Sequence, residues 1–498
     1  MHFEGKQRTL NRQQLIWAGT AITGENSTPC HDFGVCVEGS EILATGSRQE
    51  LCNIYPHAEV IGSECLLLVP GMVNSHDHGR AISTVAEGVS DDQLEIWLMH
   101  LAALPQIDPY LAAAYEGLRL LAGGVTTVAH SHNPRNWSNL DSEAAATISG
   151  YRDAGIRVAF HPPIVDQNLL VYDGESQFLA QLPSTVKQLA QSMGDPPPLS
   201  ARDYFQLCND LWSNYHDCVN HTVHIQVSPA GGQWCSDELI LEAVELARTH
   251  QTKVQMHLLE TRYQRQYAYR KWGKSFVQHL TEIGAAGSWL TCAHMVWVEP
   301  DDLSWLAEEG VGIAHNPSSN LRLGSGIAPI AQMLAAGIEL GIGLDGLALD
   351  DDQDFFREMR LAWTLSNYGQ ENARTVNASS IWSMGTTGGV AITLGKDVRL
   401  GKLAPGYLAD LVLLNWEDNS PLTLDKLLRC GTRHQVNSVM VGGHWVVKNG
   451  KSQTLERESI EQEIRGQLAR HSNNQRQQPA RVANPLAPYL RSFYSQWD

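Results

Sequence analysis

Between about residues 66 and 400 the chain alternates short apolar runs with amphipathic stretches, and this rhythm restricts its fold more than any single motif does. Eight runs read as strands: 69–74, 126–130, 157–161, 222–227, 252–257, 289–294, 312–315 and 339–344. Helical periodicity separates most of them, as in 238–250 and 302–309. Near-continuous apolar strands joined through helices belong in a parallel sheet covered on both faces. Eight such units predict an α/β fold, a TIM-like (β/α)8 barrel over 66–400. The 162–221 connection is too long for one crossover and is expected to carry extra helices, with a turn at 194–198.

The flanks have a different texture. Alternation and glycine punctuation at 14–17, 34–39 and 41–46 favour antiparallel strands, and the pattern returns at 409–414 and 438–447. A small β-sandwich domain is expected from residues 1–65 and 401–451, with the barrel inserted between its halves. Residues 452–498 are polar and read as a C-terminal helix and a peripheral tail.

Charge and composition narrow the partners. Lys and Arg number 36 against 54 Asp and Glu, a net charge of −18, which disfavours nucleic acid and anionic membranes. No apolar run reaches the roughly 20 residues of a membrane helix, and the first nine residues lack the apolar centre of a signal peptide, so a cytoplasmic location is expected. The nine cysteines contain no C-x-x-C pair; they read as reduced thiols and argue against the zinc deaminases built on a P-C-x-x-C signature.

Polar residues interrupt the apolar strands at their C-terminal ends. His76 and His78 follow the first, His257 ends the fifth, His294 the sixth, and Asp345 follows the eighth. Barrel active sites occupy that face. Two histidines two residues apart on an extended chain point to one side, and imidazole with carboxylate suits a borderline divalent ion. A lone His-x-His is as readily polar rim; joined by the other three residues it reads as a metal centre. Glu260, three residues past His257, is placed to move protons without binding the metal, the plainer alternative being an acid at a helix start. His130, His132 and His161 end strands 2 and 3 and fit pocket or core equally well.

Four segments in this order carry a resemblance. They are Pro70-Gly71-Met72-Val73-Asn74-Ser75-His76-Asp77-His78, Met256-His257-Leu258-Leu259-Glu260-Thr261, the loop 315–326 beginning His315-Asn316-Pro317, and 401–411 beginning Gly401-Lys402-Leu403. Over nearly its whole length the chain resembles the amidohydrolase superfamily, within it the branch of guanine, adenosyl-homocysteine and triazine deaminases and chlorohydrolases. The resemblance implies one divalent metal ion held by His76, His78, His257 and Asp345, zinc as first choice and iron as second. It also implies Glu260 as proton shuttle and His294 as the group orienting water or substrate; Asp345 can double as a second base. Binuclear relatives carry a bridging lysine at the end of strand 4, where this chain reads His224-Ile225-Gln226-Val227-Ser228-Pro229. Asp77 and Arg80 depart from the family pattern and put the pocket's polarity in question.

The function implied is hydrolytic deamination of a planar nitrogen heterocycle (purine, pterin, pyrimidine or triazine type) by metal-activated hydroxide. The alternatives are hydrolysis of another C–N or C–Cl bond, as in a triazine chloro- or alkylaminohydrolase or a cyclic amidohydrolase, and a non-catalytic barrel scaffold. Candidate substrate contacts are Arg80, Trp97, His132, Gln167, Gln233, Trp234, Asn320 and Arg322. The partner is a small molecule, and the strand-edged β-domain and the tail are candidate homodimer surfaces.

Overall fold

The computed structural model describes residues 13–24, 28–102, 104–192, 199–350, 352–369, 375–417, 420–470 and 478–497. The first nine residues, the turn at 194–198 and most of the Gln/Asn/Arg-rich stretch around 472–482 lie outside them. The strands are β1 (Gln14–Ala21), β2 (Cys30–Glu38), β3 (Glu41–Ser47), β4 (Glu59–Pro70), β5 (Met72–Asp77), β6 (Val125–Ser131), β7 (Arg157–His161), β8 (Pro163–Ile164) and β9 (Val223–Ile225). There follow β10 (Ser228–Pro229), β11 (Val254–Leu258), β12 (Leu290–His294), β13 (Gly312–His315), β14 (Leu340–Ile342), β15 (Leu411–Asn415), β16 (Val436–Val441), β17 (His444–Lys448) and β18 (Lys451–Ser452).

The central stretch forms an eight-stranded sheet in the order β11-β12-β13-β14-β5-β6-β7-β9, in which every pairing is parallel. Parallel bridges Val227↔Val254 and Gly231↔His257 connect its two ends in this order. Strands and crossover helices alternate, for example Asp237–Thr249 before β11 and Asp302–Glu309 before β13. This α/β architecture fits a TIM-like barrel. Residues of β6 and β7 are all buried, which is why these strands read as apolar runs without alternation. The long connection carries three helices, Glu175–Gln181, Ser184–Ser192 and Ala201–Tyr215, and β8, which pairs with β10 beyond β9.

The chain ends share a second sheet, ordered β18-β17-β16-β15-β4-β1-β2-β3. It is one continuous hydrogen-bonded sheet, where a sandwich of two was expected. It also takes more of the chain than residues 1–65: Leu66 to Pro70 of β4 pair with β15. Gly71 is where the chain leaves this sheet for the parallel one. A Cβ there would run into the Thr126 side chain, so the sharp transition is open only to glycine.

A buried bidentate pair joins the two sheets. Arg157 at the start of β7 donates from Nε and Nη2 to the two carboxylate oxygens of Asp410, both at 2.8 Å, and Gly442 N also donates to Asp410 at 2.7 Å. Removing one partner strands a buried charge, so Arg157→Ala is expected to destabilise the protein by about 3–5 kcal/mol. Denaturant unfolding of the variant against the wild type measures it.

The C-terminal segment is not peripheral, contrary to the reading of a tail. Ile464 and Leu468 of the helix Arg457–Arg470 pack with Tyr115 and Leu347. Leu486, Leu490, Tyr494 and Trp497, in and just beyond the helix Gln478–Tyr494, join the main core. Their spacing of three and four residues is an apolar helix face that the polar composition of the segment hid.

Candidate active site

The C-terminal ends of the parallel strands bring five sequence-predicted residues together. His76 comes from β5 with His78 just beyond it, His257 from β11, His294 from β12, and Asp345 from the loop after β14. His76 Nε2 and His78 Nε2 lie 3.3 and 3.2 Å from Asp345 Oδ1, and His257 Nε2 lies 3.3 Å from His78 Nε2. His294 Nε2 stands 3.9 Å from Asp345 Oδ2 and 3.8 Å from Glu260 Oε2. All six residues are buried or nearly so.

The other ring nitrogens fix the tautomers. His78 Nδ1 meets the carbonyl of Ser131 at 2.7 Å and His257 Nδ1 that of Ala230 at 2.6 Å. A carbonyl only accepts, so the His257 Nδ1 carries the proton and its Nε2 presents a lone pair; His78 Nδ1 also has the Asn133 amide beside it at 2.6 Å, and its bond to the Ser131 carbonyl gives the same tautomer. His76 Nδ1 meets Gln255 Oε1 at 2.9 Å, and Gln255 Nε2 is committed to the carbonyl of Ser75 at 3.1 Å, which forces the same tautomer. Three imidazole lone pairs and a carboxylate therefore face one another at the strand ends. His76 Nε2 and Asp345 Oδ1 are buried without a hydrogen-bond partner. Acceptor against acceptor is repulsive unless a cation sits between. Ligands about 2.0–2.1 Å from a tetrahedral ion would stand about 3.3–3.4 Å apart, close to the three separations seen here.

Local backbone strain shapes the cluster. Leu259, His294, Met295 and Asp345 have φ of 51°, 78°, 49° and 61°. Such left-handed conformations cost on the order of 1–3 kcal/mol each and gather at functional sites. Here they turn the chain sharply after β11, β12 and β14; Asp345 N is anchored to the carbonyl of His76 at 3.0 Å. Gly343 packs against this turn. A Cβ there would meet Asn316 Oδ1 and lie 2.8 Å from the Cβ and carbonyl oxygen of His76.

Burial and neighbouring charge set the protonation states. The Glu260 carboxyl is pushed well above its usual range by burial, with the charges of Asp345 and Glu95 adding to the effect. Burial alone would raise Asp345 too, but the two imidazoles of His76 and His78 facing it hold it well below the carboxylate range. His294 is lowered to about 4, mainly by burial, and is neutral at pH 7. Its Nδ1 meets Asn320 Oδ1 at 2.9 Å.

The cluster opens on a cavity of about 330 Å³, mostly apolar in its walls. Of the candidate substrate contacts, Arg80, Trp97, His132 and Trp234 line it. The other four do not. Asn320 holds His294, and Arg322 forms a bidentate pair with Asp91 at 2.9 and 2.6 Å. Gln167 donates to the carbonyl of Cys235 at 2.8 Å, and Gln233 is fully buried away from the cavity. His130 is engaged by Tyr151 at 3.0 Å and His161 by Gln226 at 2.8 Å, so both are satisfied within the core. Asp77 is buried, accepting from Asn74 Nδ2 at 2.6 Å and Gly79 N at 2.8 Å; it braces the turn carrying His78.

Several residues escaped the sequence reading. Gln255 stands two residues before His257, on the same side of β11, and that period of two was the available signal. Gln255→Leu would free the His76 ring, and zinc affinity should fall about 10–100-fold with the fold retained. Competitive zinc titration with circular dichroism checks this. Tyr494 of the C-terminal helix lines the cavity, and its hydroxyl accepts from Tyr172 N at 3.2 Å. Glu95, a buried acid in the cavity lining, accepts from Thr261 at 2.6 Å and Tyr172 at 3.0 Å.

The sequence pattern of the amidohydrolase family matches residues 67–446. The chain belongs to the amidohydrolase family. Among curated relatives, a 5-methylthioadenosine/S-adenosylhomocysteine deaminase of Syntrophus aciditrophicus is 28% identical over 91% of this chain and 96% of its own. A 5'-deoxyadenosine deaminase of Methanothermobacter thermautotrophicus is also 28% identical, over 86% and 94%. An adenosine deaminase from Xanthomonas campestris with bound zinc shares the fold with a TM-score of 0.76 at 24% identity, covering 93% and 99% of the two chains. The atrazine chlorohydrolase of Arthrobacter aurescens TC1 with zinc aligns with a TM-score of 0.77 at 22% identity over 91% and 99%. This amidohydrolase is a hydrolase of carbon–nitrogen bonds. No helix among the described residues is long and apolar enough to cross a membrane.

Proposed function

We propose that this amidohydrolase removes an amino group from a planar nitrogen heterocycle, in a site that holds one divalent ion, zinc by preference, at the mouth of a closed (β/α)8 barrel. The bridges joining the two ends of the parallel sheet support closure. His76, His78, His257 and Asp345 would hold the ion. The observation that carries the reading is a buried carboxyl, Glu260, beside four converging lone-pair donors and a cavity large enough for a ring. The relatives named as deaminases of adenosine derivatives support it.

When bound, the ion supplies Lewis acidity, lowering the pKa of a water from 15.7 toward about 7. The chain supplies the rest. Glu260, raised by burial, takes a proton from the attacking water and returns it to a ring nitrogen. With its Nδ1 proton on Asn320, His294 offers Nε2 as an acceptor that orients the water. Asp345 keeps its charge and can take the second proton that passes to the departing amine. The apolar walls exclude bulk water and receive the ring. Trp97 and Trp234 offer aromatic surfaces for it.

The zinc-loaded protein, incubated with aminopurines, aminopyrimidines and aminotriazines, is expected to release ammonia from at least one ring amine. No ammonia from any of them, or chloride release from a chlorotriazine alone, would refute deamination.

A further inference from the structure

Beside His78 the cavity passes into a smaller pocket of about 70 Å³. His78, Arg80, His132 and Asn133 border both spaces, so one bound molecule can occupy the two together. Space on the order of 10–15 Å³ holds one water, so the side pocket has room for a group of a few heavy atoms. Arg80 and Arg135 both line it.

Among the described residues neither guanidinium makes an ion pair or a hydrogen bond, and Arg80 Nε is buried without a partner. Two acids stand near, and Glu143 lines the side pocket and acts on Arg135. Glu143 accepts from the backbone of Arg135 and Asn136, both at 3.0 Å, and faces His132 Nε2 at 3.4 Å. Asp77 is bound to Asn74 and Gly79. Arg80 lies over the Trp97 ring at 5.8 Å, which supports the guanidinium without neutralising it. With Glu143 the one carboxylate in its lining, the side pocket sets two partly buried guanidiniums against a single acid, which leaves room for a second anion. Planar guanidinium donors match a carboxylate in two parallel hydrogen bonds.

We propose that the substrate is an anionic ring amine, whose carboxylate-type oxyanion occupies the Arg80–Arg135 pocket while its ring lies over the histidine cluster. The proposal rests on the deaminase reading above and names the substrate class within it. His78, Arg80, His132 and Asn133 wall both spaces, so the oxyanion is carried close to the ring. The positive pocket lies inside a protein of net charge −18, so selection for an anion is local to the site.

The test compares matched pairs on the zinc-loaded full chain: cytosine with 5-carboxycytosine, and 2,4-diamino-1,3,5-triazine with its 6-carboxylate. Binding is read by calorimetry and ammonia release is followed in parallel. The carboxylate member of at least one pair is expected to bind about tenfold or more tightly. The double variant Arg80→Gln, Arg135→Gln should reduce that ratio to within about twofold. Should the double variant not fold, Arg135→Gln alone must lower the ratio at least about threefold. Equal binding within every pair, or a preference that survives the substitutions, overturns the proposal. A carboxylate preference with no ammonia from any compound refutes deamination and leaves the anion pocket standing; equal turnover of both members does the reverse.

Discussion

Replacing Glu260 by glutamine is expected to lower turnover about 10²–10⁴-fold, the range for loss of a general acid–base, while zinc affinity stays within about twofold of wild type. The two outcomes are separable because Glu260 reaches the cluster only through His294, at 3.8 Å, and stands apart from the three close contacts among His76, His78, His257 and Asp345. Glutamine is nearly isosteric, and the backbone bond from Glu260 N to Gln264 at 2.9 Å is unaffected. Loss would fall on kcat rather than KM, since proton transfer belongs to the transition state. Steady-state kinetics with metal analysis checks both. A variant with full activity would remove Glu260 from the mechanism.

Asp345→Asn should be as severe, for a different reason. Asp345 is the one anion among the candidate ligands, and its Oδ1 faces both His76 and His78. Losing that charge should weaken zinc binding by more than the 10–100-fold typical of residues that merely orient a ligand, and turnover should fall with it. The backbone at Asp345, with φ of 61°, accommodates asparagine without new strain, so the change isolates charge from conformation. Zinc should also stabilise the wild type in thermal melts, by about 4 kcal/mol at 1,000 times its Kd, and stabilise the variant far less at the same concentration.

The fold was legible because buried parallel strands write themselves as apolar runs. All eight predicted runs overlap the strands of the parallel sheet, and 157–161 and 312–315 coincide with β7 and β13. The division at residue 65 falls inside β4, because β4 and β5 form one apolar run whose change of sheet at Gly71 depends on packing against Thr126. The helix Gln478–Tyr494 contains Pro485 and Pro488 within a polar segment, and its role in walling the cavity arises only from tertiary contact with Tyr172.

In the candidate site, residues at or just past strand ends were legible, and residues further along the loops and helices were not. Position at a strand end fixes direction, so His76, His257 and His294 could be placed from sequence. Arg322 and Asn320 lie on the helix Pro317–Arg322, where one turn decides between cavity and surface. Arg322 faces Asp91, and Asn320 turns back to His294. Arg135 drew no notice because its neighbour Arg80 is 55 positions away in sequence, and only the fold sets them side by side.

The most direct test of the account is a zinc titration of metal-free protein, with ammonia release from the best ring amine as the readout. Activity is expected to rise linearly and break at one zinc per chain in the wild type, and to remain absent throughout in Asp345→Asn. Activity in the metal-free protein, or a break at two ions per chain, would contradict a single metal centre built on His76, His78, His257 and Asp345.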